Sequence, residues 1–542
     1  MAKFGVSQPV KRVEDARFLR GAGSYVEDVV WPGEARAVFV RATVAHGDLT
    51  VDASEARGAP GVLAVFTGAD LDSAIENSLD TAPLKNRDGS VCALPRRPLL
   101  AVGRVRHVGE AIVCVVAETL AAAKDAAELV VVDYADRPAV CDTAGALAEG
   151  APQVHDDAEG NLCYDWAMGD EAATDAAFAA AARTVSLDLV NNRVVANPME
   201  TRGVIARWED GRLHIAANGQ GPWGLKDEAA NKLGLKPDQV HVSTPDVGGG
   251  FGMKAVDYPE QIVCAHAAMQ VGRPVKWISE RSEGIATDSM GRDHVTCAEA
   301  AFDAENRLTA LRINSIAAMG AYLSPFAAYI PSVLVSKVLT GVYDVQTYFF
   351  GVKGVFTNTT PTDAYRGAGR PEAIYVIERL MDYAARSLGV DPLELRRKNF
   401  IRAFPYVSAT GETYDVGDFD RVLDAALEKA DVAGFAQRKR EAAACGRLLG
   451  LGVCYYIESI LGDQNEITKF EFADDGGIDL YVGTQSNGQG HETVFAQFLT
   501  DRLGVPFEKI RLIQGDSDLI AKGGGTGGSR SVTMQGSSIW GA

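Results

Sequence analysis

The chain has 542 residues, several times the usual domain length, so several folding units are expected rather than one core. With 47 % hydrophobic and 23 % charged residues it has the composition of a globular protein able to bury large cores, which excludes global disorder. Lys plus Arg number 53 against 72 Asp plus Glu, a formal charge of −19, so no positive surplus exists for holding a nucleic-acid backbone.

Residues 1–20 mix Lys3, Lys11, Arg12, Glu14 and Asp15 with apolar residues and show no signal-peptide core, which predicts a cytoplasmic protein. A first α/β unit is expected over 17–134. Its clearest signal is the β-rich run 111–117, the Ala-rich helical stretch 118–129 and a second β-branched run 130–134. Residues 135–160, with Pro138, Gly145, Gly150 and Pro152, read as a surface linker.

From 161 to 402 helical and strand patterns alternate. Helices are expected at 170–182, 224–233 and 371–388, an Ala/Ile-rich segment at 258–271, and strands at 184–190, 204–208, 213–217, 239–243 and 274–279. This is α+β patterning without nucleotide-type βαβ repetition. A third unit, 417–542, predicts helices at 419–430 and 434–444 and strands at 450–456, 466–472 and 478–482. The apolar stretch 313–342 is interrupted by Gly320, Pro325, Pro331 and Lys337, so no membrane span is expected. The eight cysteines form no CxxC pair and read as reduced core thiols. Neither zinc nor an iron–sulfur cluster has a ligand set, so no metal ligand is assigned.

The 56 glycines are the compositional excess, and they cluster. Five segments stand out: Asn218-Gly219-Gln220-Gly221-Pro222, Gly248-Gly249-Gly250-Phe251-Gly252-Met253-Lys254, Ala364-Tyr365-Arg366-Gly367-Ala368-Gly369-Arg370, Gly488-Gln489-Gly490-His491-Glu492-Thr493, and 523–531 (GGGTGGSRS). Glycines let backbone N–H groups converge on an anion, because no Cβ blocks close approach. The spacings match neither a P-loop nor G-x-G-x-x-G. Any one such loop is more often a tight bend than a binding site. Arg366 could equally be a surface partner of Asp363 or Glu372, and His491 a satisfied polar residue. The conjunction of five loops carrying Gln220, Arg366, Gln489 and Arg530 points instead to one anionic ligand.

GGGFGMK, AYRGAGRPE, GQGHET and GTGGSRS, in this order, resemble the molybdenum-binding large subunit of the xanthine oxidase family, nearest the carbon monoxide dehydrogenase large-subunit branch. RFLRGAGSYVED, RVRHVGEAIVCVVAET and GRPVKWISER extend the resemblance along the chain. It implies an α+β multidomain protein: an N-terminal hammerhead-type α/β domain (17–134), then two molybdopterin-binding domains (161–402 and an incomplete 417–542). It further implies a molybdopterin cytosine dinucleotide carrying molybdenum with oxo and sulfido ligands. The partners implied are a [2Fe–2S] small subunit and an FAD-binding medium subunit, in a dimer of heterotrimers.

By the same resemblance Gln220 hydrogen-bonds a molybdenum oxo group, and Phe251 with Gly249, Gly250 and Gly252 lies against the metal. Gly488, Gln489, Gly490 and His491 follow the pterin and pyrophosphate, and Thr526, Ser529, Arg530 and Ser531 the cytidine diphosphate. Arg366 faces the substrate, where a fixed cation stabilises developing negative charge. Two departures bear on substrate. Gly367 stands where carbon monoxide oxidisers present a copper-binding cysteine, and Ala255 where xanthine oxidisers carry a glutamate, which leaves a small aldehyde or an N-heterocycle. The family's general base is a glutamate in a glycine-rich motif near its C-terminus, and no such segment occurs here. The expectation is therefore a truncated or split enzyme subunit. The competing expectations are a catalytically silent cofactor-carrying or assembly protein, or a generic sugar- or nucleotide-binding module.

Overall fold

The computed structural model describes residues 5–462 and 466–542; Lys3 and the rest of the first four residues lie outside it. Three of the five sheets among the described residues organise the chain. The largest has seven strands in the order Val240–Ser243, Arg212–Ala217, Gly203–Glu209, Val275–Ile278, Ala35–Arg41, Ala111–Ala117, Val62–Thr67. Ala111–Ala117 is buried along its whole length between antiparallel neighbours on both sides, which explains its unbroken apolar run of Val, Ile, Ala and Cys114. The predicted strand–helix–strand succession is present as Ala111–Ala117, Leu120–Glu128 and Val131–Asp136. Its last strand, however, leaves for a separate small sheet with Gly47–Asp52 and Arg104–Val105.

The seven-stranded sheet joins the first unit to the next one. Ala35–Arg41 pairs in parallel with Val275–Ile278, and the core beneath mixes Phe39, Cys114, Val204, Ile262 and Trp277. A five-stranded sheet follows, ordered Leu162–Gly169, Thr347–Phe356, Leu308–Gly320, His294–Phe302, Arg183–Asn191. Helix Arg370–Leu388 packs across it through Ile374, Ile377, Leu380 and Met381, a helical spacing of apolar residues. Pro371 starts this helix, Glu372 accepts from the Gly369 amide, and Gly389 ends it in the left-handed conformation. The third sheet, Thr468–Phe472, Ile478–Val482 and Ile510–Ile513, carries helix His491–Leu503.

Three expectations need correction. The 450–456 segment is not a strand: it runs without a ladder partner, held by Arg396 donating to the Val453 carbonyl and by the Tyr455 amide donating to Glu378. The 135–160 connection is not purely superficial, because Val140, Ala146, Val154 and His155 are buried. Cys92, Cys114, Cys163 and Cys264 are buried thiols as expected, but Cys141, Cys445 and Cys454 are exposed. No helix of the described residues is long and apolar enough to cross a membrane, and no metal-ligating cluster occurs among them.

Candidate functional site

The loops that end the strands of the first sheet, the loop before helix Arg370–Leu388 and the two loops of the third sheet converge on one cavity of about 870 Å³. Gln220, Gly250, Phe251, Gly252, Arg366, Gly488, Gln489, Thr526, Ser529, Arg530 and Ser531 all line it. Gly249, Gly490 and His491 do not. Gly249 backs onto the Phe251 ring, and Gly490 packs against Arg12. His491 is buried behind Gln489, its Nε2 3.1 Å from the glutamine amide, where burial pushes the imidazole down to about 4.

Gln220 is the keystone. Its Oε1 accepts from the Gly252 amide at 2.7 Å and its Nε2 donates to the Thr526 carbonyl at 2.7 Å. Its own carbonyl accepts from the Thr526 amide at 2.7 Å. The carboxamide is thus fixed in plane, with its second N–H left as a donor. Gly250 has no space for a side chain, since a Cβ would lie 2.6 Å from Gln220 Oε1. Phe251 adopts φ +55° and its carbonyl accepts from the Arg366 amide at 2.8 Å, so the two loops are stitched together.

Arg366 does not pair with Asp363 or Glu372. Asp363 accepts from the Ala364 and Phe326 amides, and Glu372 pairs with Arg292 at 2.8 Å. Arg292 also donates to the Arg366 carbonyl at 2.8 Å, and the Arg366 guanidinium is an exposed cation with no side-chain partner among the described residues. Other cations on the cavity wall are committed. Lys254 donates to Glu200 at 2.9 Å, and Arg370 to Glu458 at 2.9 Å. Arg530 donates to the Gly524 carbonyl.

Several wall residues were not singled out from sequence. Asn487 donates to the Gly219 carbonyl at 3.2 Å while its Oδ1 is buried without a partner. Arg370 has a buried Nη2 and Arg530 a buried Nε in the same condition. At a cavity wall such atoms are free to bond a ligand. The only sequence signal for Arg370 is its place at the end of the Ala364–Arg370 motif, and for Asn487 its position directly before the Gly488–Thr493 motif. Asp257 and Trp223 gave none.

The loops surrounding this cavity fall within segments that match known protein families. Residues 20–138 match the aldehyde oxidase and xanthine dehydrogenase a/b hammerhead domain, and residues 154–400 and 425–542 match molybdopterin cofactor-binding domains. The nicotine 6-hydroxylase large subunit of Paenarthrobacter nicotinovorans is 35 % identical, covering 98 % of this chain and 67 % of that protein. The chain belongs to the xanthine oxidase family of molybdenum hydroxylases. The carbon monoxide dehydrogenase large chain of Hydrogenophaga pseudoflava is 34 % identical over 97 % of this chain and 68 % of its own length. Among solved structures, Cu,Mo-CO dehydrogenase superposes with a TM-score of 0.91 at 30 % identity, covering 99 % of this chain and 71 % of that one. Quinoline 2-oxidoreductase from Pseudomonas putida 86 superposes at 0.90 and 32 % identity, over 98 % and 69 %. This member is a molybdenum-cofactor-binding oxidoreductase subunit, and named relatives are the large subunits or chains of their enzymes.

The donor set fits such a cofactor. A glycine-lined cradle gives backbone amides close approach, and Arg366, Arg530 and Gln220 supply donors for phosphate, dithiolene and oxo groups.

Proposed function

We propose that this chain holds molybdopterin in its cytosine dinucleotide form and presents an N-heterocycle or aldehyde for hydroxylation by water oxygen. In this reading electrons leave to [2Fe–2S] and FAD partner subunits, in a cytoplasmic dimer of heterotrimers. The observation that carries it is the convergence of Gln220, Phe251, Arg366 and the 523–531 loop on one cavity. The domain division 17–134, 161–402 and 417–542 belongs to the same proposal. When bound, the cofactor supplies the two-electron oxidation; the protein supplies position and charge.

Gln220, locked by Gly252 and Thr526, orients one amide donor towards the metal end. The 251–252 loop, tied to 366, fixes the distance between that donor and the Arg366 cation. Arg366 then stabilises negative charge on a carbonyl oxygen or ring nitrogen of the substrate. Phe326, Ile330, Leu334 and Leu461 give the cavity an apolar wall suited to a flat ring.

Carbon monoxide is disfavoured as substrate on geometric grounds as well as by residue type. Gly367 has φ +96°, and a Cβ there would lie 2.3 Å from Pro371 Cγ, so a copper-bearing cysteine has no place in this loop.

The test is to purify the chain from a host that makes molybdopterin, count molybdenum, and identify the released nucleotide by mass spectrometry. Stoichiometric molybdenum with a cytosine nucleotide supports the proposal; a protein without metal or pterin refutes it.

A further inference from the structure

Asp257 lies in the wall of the same cavity, beside Gly224, Leu225 and Gln261. A Cβ on Gly224 would sit 3.8 Å from its Oδ2. Its carboxyl has no hydrogen-bond or ion-pair partner among the described residues, and the groups that act on it are all acids: Glu228 and Asp227 from helix Trp223–Lys232, and Asp80. Lys232, on the same helix as Asp227 and Glu228, is taken by Glu76 at 2.9 Å and by Asp80. Lys254, three residues earlier, is taken by Glu200.

An acid in this position costs stability. Burial, reinforced by the three acids, pushes its carboxyl up to about 7. A folded-state value above the unfolded one means the folded protein loses stability as pH rises from about 4 towards 7. None of the described residues compensates that loss, and Asp257 lines the cavity that the proposed ligand fills.

Resting on the function proposed above, we propose that Asp257 recognises a nitrogen-bearing ring edge, one presenting N–H donors as an amino-substituted or protonated N-heterocycle does. A carboxylate accepts two parallel N–H bonds from such an edge, and the positive charge the edge carries or shares is what the surrounding acids favour. Two sources share this chemistry: an aminopyrimidine ring of the bound cofactor, and the heterocyclic substrate. An aldehyde has no such edge, so Asp257 selects heterocycles over aldehydes if the substrate is the source.

The experiment uses the full chain purified from a molybdopterin-producing host, as wild type, Asp257→Asn and Asp257→Val. Three quantities are read: melting temperature, pterin and molybdenum per chain, and calorimetric affinity for ortho-aminopyridine, with benzyl alcohol as a neutral ring of similar size. Melting temperatures at or above wild type are expected, because an unpaired acid is removed. A fall in pterin content in both variants supports recognition of the cofactor. Unchanged pterin with about 10-fold or greater weakening towards ortho-aminopyridine, and none towards benzyl alcohol, supports recognition of the substrate. Unchanged pterin and unchanged affinity overturn the proposal and leave the family reading intact. Lowered melting temperatures in both variants also overturn it, by assigning Asp257 to the scaffold. A wild-type chain without pterin refutes the proposed function instead, and the aminopyridine titration on that chain then decides Asp257 by itself.

Discussion

Gly252→Ala tests the stitching of the cavity more directly than any change to a polar residue. Gly252 has φ +103°, well beyond the left-handed minimum, and its amide donates to Gln220 Oε1 at 2.7 Å. An added Cβ would lie 2.5 Å from the Ala364 carbonyl oxygen and 2.7 Å from its carbon, both backbone atoms that cannot swing aside. Ordinary contact needs roughly 3.5 Å, so the 364–369 loop must retreat by about 1 Å. Backbone strain costs about 1–2 kcal/mol and the weakened amide bond about 1 kcal/mol more. The sum is a small part of the stability of a large protein but a large displacement for Arg366, for which about 10²-fold loss of turnover is expected. Molybdenum and pterin per chain, heterocycle oxidation in the assembled enzyme, and circular dichroism are the assays. Gly211→Ala is the control, since that glycine also has positive φ (+76°) but nothing within 4 Å. Wild-type cofactor content and turnover in Gly252→Ala would refute the claim that the loop contact positions the site.

Arg366→Lys keeps a cation but loses the planar fork; cofactor content should hold while kcat falls about 10–100-fold, read by steady-state kinetics. Gly367→Cys should lower the melting temperature and bind no stoichiometric copper, because Pro371 occupies the space; copper retention on dialysis would contradict this. Burial alone would push Glu260 up, but Arg202 and Arg41 outweigh it and hold the carboxyl at about 2. Its stabilisation is therefore complete above about pH 4.5 and drains away as pH falls towards 2, which thermal melts across that range should show. Glu260→Gln should remove this acid dependence and cost about 3–5 kcal/mol, since Arg202 is buried and keeps only Asp288 as an ionised partner.

The elements whose patterning is local are legible in the sequence alone: helix Arg370–Leu388 carries its own start and stop signals, and Ala111–Ala117 its own apolar, β-rich run. The glycine loops were legible as a set, because backbone that must approach a ligand admits little else. The 450–456 stretch was misread because strand residues specify a ladder only when a partner strand is present to pair with, and here side chains of Glu378 and Arg396 take the backbone groups instead. Val140 and Val154 were misread because Pro and Gly around them report the turning of the chain and not what lies above it. Asp257 gave no signal at all, since its meaning comes from Asp80, Asp227 and Glu228, which sequence separation hides.

The parallel pairing of Ala35–Arg41 with Val275–Ile278 reaches beyond architecture. Severing the gene within 135–160 would not release two autonomous modules: one half would carry a bare hydrogen-bonding edge at Ala35–Arg41, the other at Val275–Ile278. Ala217 and Val242 of the same sheet line the cavity, so the cavity and the N-terminal region are expected to melt as one cooperative body.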